Sequence, residues 1–107
     1  MKEITTRDLK ESLVLLLLKK KDDGEGGWQE DWCEGPRLWA ALWPFVDNQK
    51  GTPLYRIILR APLILPHTIK FLWRLQHTTK RLVVIKDPIL VQYNRFYAMI
   101  AEEEKNA

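Results

Sequence analysis

The stretch Asp22-Asp23-Gly24-Glu25-Gly26-Gly27-Trp28-Gln29-Glu30-Asp31-Trp32 crowds three glycines into four positions and then sets two tryptophans four residues apart. Glycine reaches positive φ without steric cost, so Asp23, Gly24, Glu25, Gly26 and Gly27 read as a hairpin turn between two antiparallel strands. With a side-chain period of two, Trp28, Glu30 and Trp32 then face one way and Gln29, Asp31 and Cys33 the other.

Outward from that turn the chain is a series of short apolar runs separated, about every 8 to 14 residues, by turn signals. The runs are Ser12 to Lys21, Trp28 to Cys33, Arg37 to Val46, Leu54 to Ala61, a hairpin of Thr68 to Arg74 with Arg81 to Lys86, and Arg95 to Glu102. The breaks include Glu34-Gly35-Pro36, Asp47 to Pro53, Pro62 to Pro66, Gln76 to Thr79 and Asp87-Pro88, where glycine, proline or a backbone-bonding Asn or Asp interrupts the ladder. This pattern predicts an all-β fold, a small antiparallel β-barrel or sandwich with extended loops and room for one short helix. Two stretches leave helix open. Residues 5–20 begin with a capping-box pattern, Thr5-Thr6-Arg7-Asp8, and residues 37–43 follow Pro36 and end before Pro44.

A chain of 107 residues makes one domain, 1–107, with 1–8 and 104–107 expected as flexible termini, and it buries only about 65% of its unfolded surface. Five tryptophans, three tyrosines and three phenylalanines supply a dense core. Trp28, Trp32, Trp39 and Trp43 share parity within their strands and are expected to line one face and build that core. The net charge of +3 is scattered, which permits contact with nucleic acid without arguing for it. Cys33, the single cysteine, excludes an intrachain disulfide and suits a reducing compartment. The run Leu13 to Leu18 is too short to cross a bilayer, so neither an export signal nor a membrane segment is expected.

Several runs are apolar on both faces: Leu13 to Leu18, Ile57 to Leu59, Leu82 to Ile85 and Phe96 to Ile100. A half-buried antiparallel strand alternates, so a second cover is required, either the folded-back termini or another subunit. If Ile58 or Val84 lies on an exterior face, aspartate there is expected to block assembly and leave the subunit folded.

The residues offer little chemistry. His67 and His77 stand alone near loops, Cys33 lacks companions at metal spacing, and the acidic residues from Asp22 to Asp31 lack the alternating calcium-loop order. The glycines are not followed by Lys-Ser or Lys-Thr as a phosphate loop requires. No catalytic, metal or cofactor site is expected, and the protein is read as a non-enzyme. Lys19-Lys20-Lys21 and Lys80-Arg81 are open to two readings, phosphate contacts or charges that keep sheet edges soluble.

In order and spacing, Leu13 to Lys21, Asp23 to Gly27, Trp32, Leu38-Trp39-Ala40-Ala41-Leu42-Trp43-Pro44, Tyr55-Arg56-Ile57-Ile58-Leu59-Arg60, Leu82 to Pro88 and Arg95 to Glu103 resemble the head-tail joining, or head-completion, proteins of long-tailed bacteriophages, also called head-closure or stopper proteins. The resemblance implies a virion structural protein at the head-tail interface, free in the host cytoplasm before assembly. It implies a ring of about twelve copies that encloses DNA without reading its sequence, between a portal or adaptor protein and a tail terminator or tail protein. On that basis Asp47, Asn48, Gln49, Lys50, Gly51 and Thr52 would face the channel or an adjacent ring. The turn Asp23 to Gly27 would be a second contact with a neighbour. The competing expectation is a small nucleic-acid-binding β-barrel.

Overall fold

The apolar run Leu13 to Leu18 before the glycine turn and the segment from Trp28 after it form two long strands, and the rest of the chain closes around them. The structure, a computed structural model, describes residues 3–22, 24–47 and 51–104, with the backbone alone for Lys21. Its strands are β1 (Glu11–Asp22), β2 (Trp28–Val46), β3 (Pro53–Arg60), β4 (Lys70–Arg74), β5 (Thr79–Val91) and β6 (Phe96–Glu103). They pair antiparallel in the order β1-β2-β3-β6-β5-β4, and β4 returns to β1 through Leu13 to Leu16, which closes a barrel. The all-β expectation holds. Of the stretches left open to helix, 37–43 and 11–20 are strand, and the only helical part is Thr6–Asp8, a single 3-10 turn in which the Thr5 amide donates to Asp8 Oδ2 at 2.9 Å.

Two expected breaks lie inside strands. Asp87-Pro88 belongs to β5, where register skips against β6 accommodate it. Glu34-Gly35-Pro36 belongs to β2: Val14 pairs with Arg37 and Leu16 with Glu34, so Gly35 and Pro36 together oppose Leu15 as a β-bulge. A Cβ on Gly35 would meet the Leu15 carbonyl oxygen and Leu17 Cγ, each at 2.8 Å, so the bulge requires glycine. The turn into β6 is made by Gln92, Tyr93 and Asn94, all at positive φ (50°, 57° and 63°), which no glycine announces.

The bulge decides where the tryptophans point. Leu13 faces Leu38 and Leu17 faces Cys33, and these leucines enter the barrel with Leu15, Ile57, Leu59, Phe71 and Leu82. Because the bulge shifts the phase of β2 by one residue, Trp28 and Trp32 before it and Trp39 and Trp43 after it all lie on the outer face. Trp28 is 73% exposed, Trp39 61% and Trp43 40%, while Trp32 is half-covered by Lys70, whose Nζ sits 4.6 Å from the ring centre. The expectation that these four build the core is overturned. A barrel narrower than the eight-stranded kind, whose interior side chains just fill, has no room for four indoles. The fifth indole, Trp73, turns inward instead, edge-on to Tyr55 at 5.7 Å, with its Nε1 donating to Glu11 Oε2 at 3.3 Å.

The segment before β1, expected to be a loose end, is a strap across the outer wall. Ile4 and Leu9 cover Ala41, Ile58, Phe96 and Ala98. The Gln92 carboxamide brackets Ile4: Nε2 donates to the Ile4 carbonyl at 2.7 Å, and Oε1 accepts from the Ile4 amide. Ile58 is therefore outward-facing yet fully buried, and Val84 packs against the interior cluster. Neither is an exterior position at which aspartate would be harmless. The opposite terminus is anchored at Glu104, which meets Lys70 Nζ at 3.1 Å and Arg81 Nε at 3.5 Å.

Candidate interaction surface

The outer wall beyond the strap is bare. Next to the covered patch, Trp43 pairs with Arg56, Arg56 with Ile100 and Ile100 with Lys86, all on the outer face. Phe45 and Ile89 border them and a groove of about 560 Å³ runs between. Further along β2, Trp39 stands between Arg37 and Arg60 beside a second groove of about 540 Å³ that the strap residues Thr6 and Leu9 help to form. Among the described residues no carboxylate lies within ion-pair distance of Arg37, Arg56 or Arg60. The wall thus combines exposed indoles with unneutralised guanidiniums, a composition typical of contact surfaces.

The candidates Lys19, Lys20, Lys80 and Arg81 each have a carboxylate beside or across from them, and the side chain of Lys21 lies outside the described residues. Lys19 and Lys20 stand opposite Asp31 and Glu30 across the β1–β2 ribbon. Lys80 Nζ lies 3.8 Å from Glu103, and Arg81 is paired with Glu104. Cross-strand partners of opposite charge stabilise a ribbon and reduce its field at distance, which favours the solubility reading of these residues over phosphate binding.

Past Leu16, β1 has no partner but β2, so residues 17–22 and 28–33 project as a two-stranded arm and the molecule measures 54 × 33 × 28 Å. At its tip Gly24 and Gly26 take φ of 80° and 85°, and the Gly24 amide donates to Asp22 Oδ1 at 3.0 Å. Asp23 lies outside the described residues. At the opposite end of β2, Asp47 and Thr52 close the loop into β3 (Asp47 N–H to Thr52 O, 3.2 Å), and Gly51, at φ 64°, donates to the Asp47 carbonyl at 2.7 Å. Asn48, Gln49 and Lys50 lie outside the described residues. The two loops expected to meet neighbours therefore sit at opposite ends of one strand.

His67 and His77 are exposed, and Cys33 is half-buried on the Leu17 side of the arm. Among the described residues no group of three or more His, Cys, Asp or Glu is disposed to hold a metal, and no helix is long and apolar enough to cross a membrane. The wall surface was not legible in the sequence because it depends on the bulge; the signal that points to it is the Gly-Pro pair between two tryptophan pairs. Compared with known proteins, the chain matches no family model and no curated protein.

Proposed function

We propose that this protein is a structural connector subunit that stands side by side with copies of itself, in the manner of the phage head-closure proteins its sequence resembles. The observation that carries the reading is the wall left bare: Trp39, Trp43, Phe45, Ile85 and Ile89 are exposed after the chain's own strap has covered the neighbouring patch. The closed part of the barrel leaves no free strand edge, so lateral association there uses wall side chains, and this wall carries them. In the proposed ring, of about twelve copies, each subunit has two flanks to bury. The glycine turn and the Asp47–Thr52 loop, at opposite ends of β2, would meet the portal or adaptor on one side and the tail on the other. The DNA is enclosed without sequence readout, and the subunit does no chemistry.

In a host that produces the particle, deleting the gene should leave DNA-filled heads that leak and carry no tails in negative-stain micrographs. Normal tailed particles made without the protein would refute the reading. The second reading, a small nucleic-acid-binding barrel, is favoured by Arg37, Arg56 and Arg60 beside Trp39 and Trp43, since guanidiniums with exposed rings hold single strands. It requires the isolated monomer to bind DNA with a steep dependence on salt.

A further inference from the structure

The arm and the wall are built from the same strand with opposite charge. On the outer face of the arm Trp28 stands across from Asp22 and two residues from Glu30. On the outer face of the wall Trp39 stands two residues from Arg37 and across from Arg60, which lies one step past the Ala40–Leu59 pair. One indole is flanked by carboxylates, the other by guanidiniums, in the same arrangement of one neighbour along the strand and one across it. Lys20 opposes Glu30, yet from residue 19 to 31 five carboxylates face three lysines. Both indoles are among the most exposed apolar side chains of the described chain, and the groove beside Trp39, about 540 Å³, has room for a ring.

We infer that the arm of one copy docks on the wall of another, Trp28 entering the groove beside Trp39 while Asp22 and Glu30 meet Arg60 and Arg37. The partner cannot be the same molecule. Eleven residues of one strand, roughly 35 Å at about 3.3 Å per residue, hold Trp28 away from Trp39. Arm and wall are different surfaces, so the contact is head-to-tail and serves a ring if the rotation closes. The inference rests on the connector reading in taking the neighbour to be a second copy, and it names the contact which that reading leaves open.

Sedimentation velocity on the full chain tests it with two charge-reversed proteins. Reversing the wall (Arg37→Glu with Arg60→Glu) leaves both surfaces acidic, and reversing the arm (Asp22→Lys with Glu30→Lys) leaves both basic. Each alone should lose self-association by about 30-fold or more in dissociation constant, the scale of arginine and tryptophan anchors. An equimolar mixture should recover it, because each arm then meets a wall of opposite sign. Wild-type association should also weaken as salt rises. Trp28→Ser, at an exposed position where folding is unaffected, should show the same loss should a double variant fail to fold. Variants that associate as the wild type does would overturn the arm contact and leave the connector reading standing. A wild type that stays monomeric at about 1 mM would also overturn it, and the gene-deletion phenotype would judge the connector reading separately. Overturning would follow too if a single-stranded oligonucleotide, and no second copy, binds the wall in a manner abolished by Trp39→Ser.

Discussion

Ile58 and Ile89 are both cross-strand neighbours of Ala98, one on β3 and one on β5, and both face outward from the barrel. Ile58 is fully buried and Ile89 is 60% exposed. The cross-strand neighbour, the face and the residue type are the same. What differs is the strap, which lays Ile4 and Leu9 over Ala41, Ile58, Phe96 and Ala98 and reaches no further. The patch under it is small and aliphatic apart from Phe96, whereas the bare patch mixes Trp43, Phe45 and Ile89 with Arg56 and Lys86. Purely apolar wall is covered by the chain itself, and the wall left open carries charges among its apolar side chains.

The largest effect is expected at Ile58→Asp. Its carboxylate would lie beneath the strap among Ile4, Leu9, Ala41, Phe96 and Ala98, and a buried charge costs several kcal/mol unless the structure rearranges. The least costly relief is for the strap to leave, which gives up the burial of Ile4, Leu9 and Ile58, at roughly 1.5 to 3 kcal/mol for each fully buried side chain. Thermal unfolding should show a loss of about 3 kcal/mol or more, with early hydrogen exchange at residues 4–9. A variant as stable as the wild type would mean that the strap does not seal this patch.

A gentler break in the comparison is Gln92→Asn. Asparagine tolerates the positive φ at this position but is one methylene too short to bracket both the amide and the carbonyl of Ile4. Two part-buried hydrogen bonds at about 0.5 to 1.5 kcal/mol each set the expected cost at about 1 to 3 kcal/mol. Exchange at the Ile4 amide should accelerate while the amides of β3 and β6 stay protected. Acceleration throughout the barrel would show that the clasp is part of the global fold and not a local latch.

How much of this could be read from the residues follows from where the determining contacts lie. The turn at Gly24 and Gly26 announces itself because positive φ is a local demand, and the strands announce themselves because Leu13, Leu15 and Leu17, or Tyr55, Ile57 and Leu59, recur at period two. The surplus of two-faced apolar strand was also visible, and of the two expected covers the folded-back terminus covers one part of it and leaves another bare. Gly35 reads locally as a break, and only the approach of Leu15 and Leu17 from the neighbouring strand shows that it is a bulge. The four tryptophans do share one face as expected, but that face is the outer one, because the inner side is filled from the neighbouring strands by Leu13, Leu15, Ile57 and Leu59. Nor does any local signal mark Gln92 to Asn94 as a left-handed turn, since three non-glycine residues at positive φ are held there by tertiary contacts, including the Ile4 clasp.

The smallest effect is expected at Ile89→Thr, and it is the most informative for the comparison because Ile58→Thr is its matched control across Ala98. Threonine keeps the β-branched shape that suits a strand, so backbone preference changes little at either site. At Ile58 the new hydroxyl enters an apolar seal, and the penalty for burying it adds to the lost methyl contacts, about 2 kcal/mol together. At Ile89 the hydroxyl points into solvent from a side chain that is already mostly exposed, so stability should change by less than about 0.5 kcal/mol. Chemical denaturation of the two variants at concentrations where the wild type is monomeric would measure the contrast directly. Equal losses would mean that something other than the strap distinguishes the two positions. A loss at Ile89 that appears only as protein concentration rises would instead locate the missing cover of the bare wall in a second molecule.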